Sequence, residues 1–376
     1  MSAVLAWRIL MHEKARNALA AGGISIAILM IFLQLGFYAS VPRAGLLIYD
    51  HLRFDILLTS SSYVNMGQSY LFPRRRIYQA LDVPEVATAV PFYEGEAYWL
   101  SRENGTLREI FVMGVDPGTD SFTVSDVERQ SPRLRQPDTL LIDTASLPMY
   151  GPQVAGRTVE LDGRAVTIAG RYDLGTGVIG LGAVVMSDLN FIRVFPARPL
   201  ATVSLGLVRL KPGSDPDRVA AELRSILPAD TSVFTRAEIE AHETDFWRHR
   251  TSTGLIFGSG VAVSVIVGIV ILYQILTTQV VRQLPQYATL KAMGYGNGHL
   301  QAVVAFLALV TAAVAFPPAL LGAVFAYEKL RTLSRLPIEM TPMRILLVLG
   351  IAVAMTLGTS LLAARKLRHA DPADLF

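Results

Sequence analysis

Four stretches of this chain contain no Asp, Glu, Lys or Arg: Asn17 to Pro42, Thr251 to Val281, Ala292 to Tyr327 and Ile345 to Ala364, of 26, 31, 36 and 20 residues. A hydrocarbon core of about 30 Å takes about 20 apolar residues in a helix, so each stretch is long enough to cross a bilayer. The 34 Lys and Arg and the 31 Asp and Glu all fall in the remaining positions, at about the 25% density of ordinary soluble sequence. The chain is two materials, and a purely soluble protein is excluded. Its mean hydrophobic content of 52% hides this, being only slightly above the ~45 to 50% of soluble proteins.

The order of these materials predicts an α-helical membrane protein with four transmembrane helices in a 1+3 layout, and a large mixed α+β extracytoplasmic domain inserted between the first and second. The boundaries read as a cytoplasmic amphipathic head over 1–16, spans over 17–42, 251–281, 299–327 and 345–364, and a two-lobed periplasmic domain over 43–250. A cytoplasmic segment over 282–298, a short periplasmic loop over 328–344 and a cytoplasmic tail over 365–376 complete it. The first window follows Arg8, Lys14 and Arg16 and precedes Ala39 and Ser40, but it exceeds the roughly 7 to 15 residues of a signal-peptide core and reads as an uncleaved anchor. An even number of spans puts both termini on one side. Arg282 and Lys291, with three basic residues in the head and three in the tail (Arg365, Lys366, Arg368), outnumber Lys329, Arg331, Arg335 and Arg344 in the last loop, which favours cytoplasmic termini in an inner membrane. The absence of cysteine excludes disulfides and thiolate metal sites. A net charge of +3 with scattered arginines gives no nucleic-acid footprint.

Within the inserted domain, Phe54 to Thr59 reads as a strand and Pro73 to Leu81 as a short helix opened by proline. Strand-like runs recur at Leu107 to Val115, Thr139 to Asp143, Thr158 to Leu161, Ala165 to Arg171, Ala183 to Met186 and Thr202 to Leu210. Asp162-Gly163 marks a two-residue hairpin turn. Asp215 to Leu227 reads as a helix capped by Asp215, with Val219, Leu223, Ile226 and Leu227 on one face. The sequence of elements predicts that the two ends of the domain pack together and the middle forms an inserted lobe.

Motifs that carry chemistry elsewhere fail here on context. Gly175-Thr-Gly177-Val-Ile-Gly180 fits a dinucleotide pattern, but a strand-like run follows where a helix is needed. No lysine follows a glycine, so no P-loop is present and any ATPase is another chain. His242-Glu243 resembles the start of a zinc-protease motif, yet the next histidine is His249, which is the wrong spacing. The expectation is no catalytic residue, no metal site and no cofactor bound by this chain. Arg74-Arg75-Arg76 reads as a solvated helix face in preference to a headgroup or acidic-partner site.

The spans carry small-residue stripes: Gly254, Gly258 and Ala262, then Gly260, Ser264 and Gly268, with Gly350, Ala354 and Gly358 in the last span. Such stripes let helix backbones approach closely, either within one subunit or across a homodimer. No span carries Asp, Glu, Lys or Arg, which disfavours a secondary transporter. Between spans two and three, Pro285 can open a helix, Gln286, Tyr287, Ala288, Thr289, Leu290, Lys291, Ala292 and Met293 can continue it, and Gly294 can close it. Tyr287, Leu290 and Met293 fall on one side and predict a knob for a cytoplasmic partner.

Several stretches together resemble the MacB, FtsX and LolC/LolE permease family of type VII ABC systems, and its DevC-like branch in particular. They are Leu5-Ala-Trp-Arg8 with Glu13-Lys-Ala-Arg16 and Gly22-Gly-Ile24, Tyr287 to Tyr295, and the tail from Arg368 to Phe376. Arg75 to Ala80 and Met186 to Arg193 carry the DevC-like likeness. Gln286 stands where the wider family often has an acidic residue. The resemblance implies a homodimeric inner-membrane permease bound to two ABC ATPase subunits, with ATP and Mg on those partners and Pro285 to Gly294 as the ATPase-coupling helix. It further implies a periplasmic adaptor (a membrane fusion protein) leading to a TolC-like outer-membrane channel. Motion of the ATPases would be relayed to the outer domain to drive export of envelope material such as glycolipid. An FtsX-like relay to a cell-wall hydrolase and a LolC-like extraction of lipoproteins are the alternative readings. A membrane-anchored enzyme would need a catalytic cluster within 43–250, and none is visible.

Overall fold

The computed structural model describes residues 14–101, 105–175, 177, 180–334 and 336–368. It divides into two units, the apolar helices and an inserted domain formed by Val41–Thr251 with Arg335–Pro337. Among the described residues, four helices are long and apolar enough to cross a membrane. The first, α1 (Lys14–Asp50), has 37 residues, about 55 Å at 1.5 Å per residue, well beyond what a bilayer core takes up. The helix continues past the expected first span, through Pro42 to Asp50. Val41, Ala44, Ile48 and Tyr49 are buried at helical spacing, and this packing offsets the hydrogen bond that the proline removes.

The inserted domain begins with β1 (Ile56–Ser60), a short β2 (Phe72–Pro73), α2 (Arg75–Ala80) and β3 (Val86–Ser101). A long insertion follows: β4 (Thr106–Val115), α3 (Ser125–Gln130), β5 (Thr139–Asp143), β6 (Thr158–Leu161), β7 (Arg164–Tyr172), β8 (Ala183–Ser187) and α4 (Asp188–Val194). The chain then returns through β9 (Thr202–Val203), β10 (Leu205–Leu210), α5 (Pro216–Ile226), β11 (Thr231–Thr235) and α6 (Arg236–Asp245).

The first lobe is the antiparallel sheet β11-β1-β10-β3 backed by α2 and α5, which is the ferredoxin-like split βαβ arrangement. Ile56 and Leu58 face Ile77, Val219 and Leu223, while Leu57 faces the opposite side with Tyr49, Phe54, Leu207 and Ile239. Both faces are covered, which explains the unbroken apolar run at β1. The second lobe continues along the same β3. Strands β3, β4, β8, β5, β7 and β6 follow in order, and β6 pairs back onto β3 at Trp99 and Leu161, closing a six-stranded barrel. Pairs β4–β8 and β5–β7 are parallel. Trp99 fills the barrel, edge-on to Tyr150 with ring centroids 6.0 Å apart. The Asp162-Gly163 turn joins β6 to β7 with both residues at positive φ, 48° and 77°, as the hairpin signal predicts. The expected inserted lobe is this barrel.

After α6 and one π-helical turn over Phe246–Arg250 come α7 (Ser252–Arg282), α8 (Leu284–Ala292), α9 (Asn297–Ser334) and α10 (Pro342–Arg368). Ile24, Ile28, Ile31 and Phe32 of α1 pack with Leu272, Ala315, Ala319, Ala323 and Met355, the α9 alanines allowing close helix approach. Helix α9 continues to Ser334, so the loop expected over 328–344 is mostly helical. The head motif at Leu5 to Arg8 and the tail beyond Arg368 lie outside the described residues.

Candidate functional site

The segment between α7 and α9 folds as a short helix for reasons its residues state. Pro285 sits in the first turn of α8, where its missing N–H costs nothing. Gly294 ends the helix at φ 91°. Its N–H donates to the carbonyl of Lys291 at 3.0 Å and that of Tyr295 to Leu290 at 3.1 Å, a Schellman closure that only glycine adopts without strain. The predicted knob is oriented differently from expectation. Tyr287 is buried with Leu276, Val280, Leu300 and Ala363, and Leu290 packs partly against the same cluster. The helix uses that apolar face to hold itself onto the bundle. The outward face consists of Pro285, Gln286, Thr289 and Met293, the last 63% exposed.

The small-residue stripes divide as clearly. A Cβ on Gly258 would lie 3.3 Å from the Tyr38 ring, one on Gly260 2.5 Å from Gln34, and one on Gly268 2.4 Å from Met355. Ser264 and Gly254 are also buried. These positions are engaged within the chain, and Ala262 of the same helix is exposed. In α10, Gly350 and Gly358 face open space, and Ala354 between them is exposed.

At the base of the inserted domain lies a cluster that the sequence reading passed over. Glu243 on α6 is fully buried. Its Oε1 accepts from the Tyr49 hydroxyl at 3.0 Å, the Tyr63 hydroxyl and the Met66 N–H at 3.1 Å. Its Oε2 accepts from the Trp247 indole at 3.0 Å. Burial pushes the Glu243 carboxyl above its ordinary pKa, against the pull of Tyr63, Tyr49 and Trp247. Trp247 lies on the bare backbone of Gly45, where a Cβ would be 2.2 Å from the indole nitrogen. Arg236 closes the end of α1, donating to the carbonyls of Tyr49, Leu52 and Phe54 at 3.2, 2.8 and 3.2 Å, with its guanidinium 4.1 Å over the Phe54 ring. The signal in the sequence was His242-Glu243, read only as a metal motif. His242 instead bonds the Val64 carbonyl at 3.0 Å and His249 bonds Asp245 at 3.0 Å. The described residues contain no group of three or more metal-ligating side chains.

A second buried carboxylate, Glu94, sits on β3 where the strand passes from the first lobe into the barrel. The Ser69 hydroxyl donates to it. Arg198 donates at 3.1 Å to the Ser204 hydroxyl, which in turn bonds the Glu94 main-chain N–H and carbonyl. Burial raises its pKa to about 7, against the Ser69 hydrogen bond and the Arg198 charge.

The glycine-rich pattern Gly175 to Gly180 connects strand β7 to strand β8, and Gly177 lets this loop meet α1, where a Cβ would lie 2.0 Å from the Ala44 carbonyl oxygen. The arginine triplet is corrected: only Arg75 is exposed. Arg74 lies 5.9 Å over the Tyr78 ring, and Arg76 is buried, its Nε and Nη2 bonding the two Asp230 oxygens at 3.0 and 2.6 Å.

Two family models match the sequence, a MacB-like periplasmic core domain over residues 17–226 and an FtsX-like permease C-terminal region over residues 258–372. No curated protein matches it in sequence. Similar solved structures include the extracellular domain of the ABC-type transporter YknZ from Gram-positive bacteria, 15% identical over 48% of this chain and 99% of that one, at a TM-score of 0.34. The periplasmic region of MacB from Actinobacillus actinomycetemcomitans is 8% identical over 50% of this chain and 90% of its own, also at 0.34.

Proposed function

Because the chain belongs to the MacB/FtsX family of ABC-transporter permeases, we propose that it is the membrane subunit of a MacB- or DevC-type exporter that converts the motion of a separate ATPase into work by its inserted domain. The observation that carries this reading is α1, one helix running from a charge-free span into the domain without a break. Spans with no charged residues make a poor hydrophilic pore, whereas a continuous helix transmits displacement along its length. ATP and Mg²⁺ would be held by two copies of the partner ATPase, docked on the outward face of α8 through Gln286, Thr289 and Met293. Both termini would then be cytoplasmic and the inserted domain periplasmic, engaging an adaptor that leads to an outer-membrane channel for envelope material such as glycolipid.

The subunit would act as a homodimer. With Gly258, Gly260 and Gly268 already engaged inside the chain, the open small-residue face of α10, Gly350, Ala354 and Gly358, offers a surface for close helix approach by a second copy.

The test is purification of the tagged chain from its native membrane with identification of co-purifying proteins, wild type against Met293→Asp. Recovery of an ATPase with the wild type and its loss in the variant, together with an adaptor, supports the exporter. A cell-wall hydrolase in place of the adaptor supports the FtsX-like relay, and bound lipoprotein the LolC-like one. Absence of an ATPase from both preparations would sink all three.

A further inference from the structure

We propose that Glu243 is a positioning residue that fastens the end of α1 to the Phe246–Arg250 turn leading into α7, so that the two chain segments rooted in the inserted domain move as one body. The inference rests on the relay reading above and adds to it a specific fastening.

Four donors from separate parts of the chain converge on the carboxylate, three on Oε1 (Tyr49 of α1, Tyr63 and the Met66 N–H of the loop after β1) and one on Oε2 (Trp247 of the π turn), with the two tyrosine hydroxyls also bonded to each other. All four are neutral donors, so the carboxyl is held in a dry site chiefly by hydrogen bonds, and losing any one leaves a buried polar group with fewer partners. The surrounding chain is shaped to this end. Glycine at position 45 lets the indole lie on α1. The wide turn over Phe246–Arg250 brings Trp247 back over the carboxylate, in the kind of one-turn π segment that recurs at functional positions. Arg236 adds a second tie to the same helix end. The domain has two large apolar cores, each of which extends through both lobes. A buried carboxylate contributes less to stability than a well-packed apolar side chain would, and its use is to select one geometry over others. The geometry selected here is the register between the two roots.

The test uses the full-length purified chain, which contains no cysteine, with spin labels on Asp50→Cys and Arg250→Cys, two exposed positions. Dipolar spectroscopy should give one narrow distance in the otherwise wild-type protein and a broad or divided distribution in Glu243→Ala. Hydrogen exchange at the Met66 amide should rise by about tenfold or more, the equivalent of one hydrogen bond to a charged group. Trp247→Phe, which removes only the Oε2 donor, should broaden the distance partially and serves if Glu243→Ala fails to fold. Glu243→Gln, which sets an amide against four donors, should fall between them.

A distance as narrow in Glu243→Ala and Trp247→Phe as in the wild type, with Met66 exchange unchanged, overturns the proposal. The relay is read separately. With the co-purified ATPase present, ATP should alter exchange in both α8 and the inserted domain of the wild type, but only in α8 of Glu243→Ala. A purely structural role for Glu243 would leave that coupling intact. If ATP changes nothing in the wild-type domain while the label distances behave as expected, the relay fails and the fastening stands.

Discussion

Tyr327 of α9 lies flat against the bare backbone of Gly36 in α1, where a Cβ would be 2.5 Å from its hydroxyl and 2.6 Å from Cζ. The hydroxyl donates to the Phe32 carbonyl, one turn earlier in α1. Gly36→Ala should therefore destabilise the bundle by about 1 to 3 kcal/mol through overpacking, read as a lower Tm of the detergent-solubilised protein. Tyr327→Phe keeps the ring and should not rescue the alanine, whereas Tyr327→Ala should. A Gly36→Ala protein as stable as the wild type would contradict the contact.

The orientation of α8 separates docking from folding. Met293 is exposed and Leu290 partly buried against the bundle. Met293→Asp should lower ATPase recovery about tenfold, the effect of one strong interface residue, with Tm unchanged. Leu290→Asp should lower both, since its charge must leave an apolar contact. Equal loss of Tm in the two variants would mean that Met293 is not on a free surface.

Glu94 sets a pH dependence. With a folded-state pKa of about 7 against 4.5, it binds more protons folded than unfolded between those values. Its contribution to stability is therefore greatest at low pH, declines from about pH 4.5 to about 7 and is level above, a loss on the order of 3 kcal/mol. Glu94→Gln removes this slope, so its stability advantage over the wild type should grow by that amount between pH 4.5 and 8 in chemical unfolding of the full-length protein. Parallel profiles for the two proteins would show that Glu94 does not titrate there.

Arg76 has a side chain only 7% exposed, while its partner Asp230 is 40% exposed. Removing the carboxylate with Asp230→Ala strands a buried guanidinium and should cost about 3 kcal/mol. Arg76→Met refills the space with apolar volume and should cost less. Unfolding midpoints of the two variants in urea give the ranking, and a more stable Asp230→Ala than Arg76→Met would reverse the argument.

Those features that periodicity and turn chemistry encode were legible in the residues. The four spans follow from missing charge, and β6, β7 and their Asp162-Gly163 turn from local pattern. The longest strand is absent from the strand-like runs: β3 contains Pro91 and Gly95, residue types that interrupt a strand pattern. Pro91 lies opposite Gly206 in the ladder, and Gly95 is bare because Arg198 and Phe195 crowd it at 3.0 and 3.1 Å. Both reasons are tertiary. The continuation of α1 beyond the span was not legible, because Pro42 and Arg43 resemble a helix boundary that packing overrides. The α8 helix was found but the three residues divide, Tyr287 and Leu290 turning to the bundle and Met293 outward, since spacing does not say which side meets solvent. Glu243 showed locally only as part of His242-Glu243, because three of its four donors come from the distant residues 49, 63 and 66.

The barrel leaves the ferredoxin-like sheet at Phe92 and returns at Leu205, and these two residues are cross-strand partners in register. Its two attachment points are therefore neighbours on the same ladder, as the two ends of a plug sit side by side in one socket. A different lobe could be grafted between them without disturbing the strand order of the ferredoxin-like sheet, so the barrel can diversify while that sheet stays fixed.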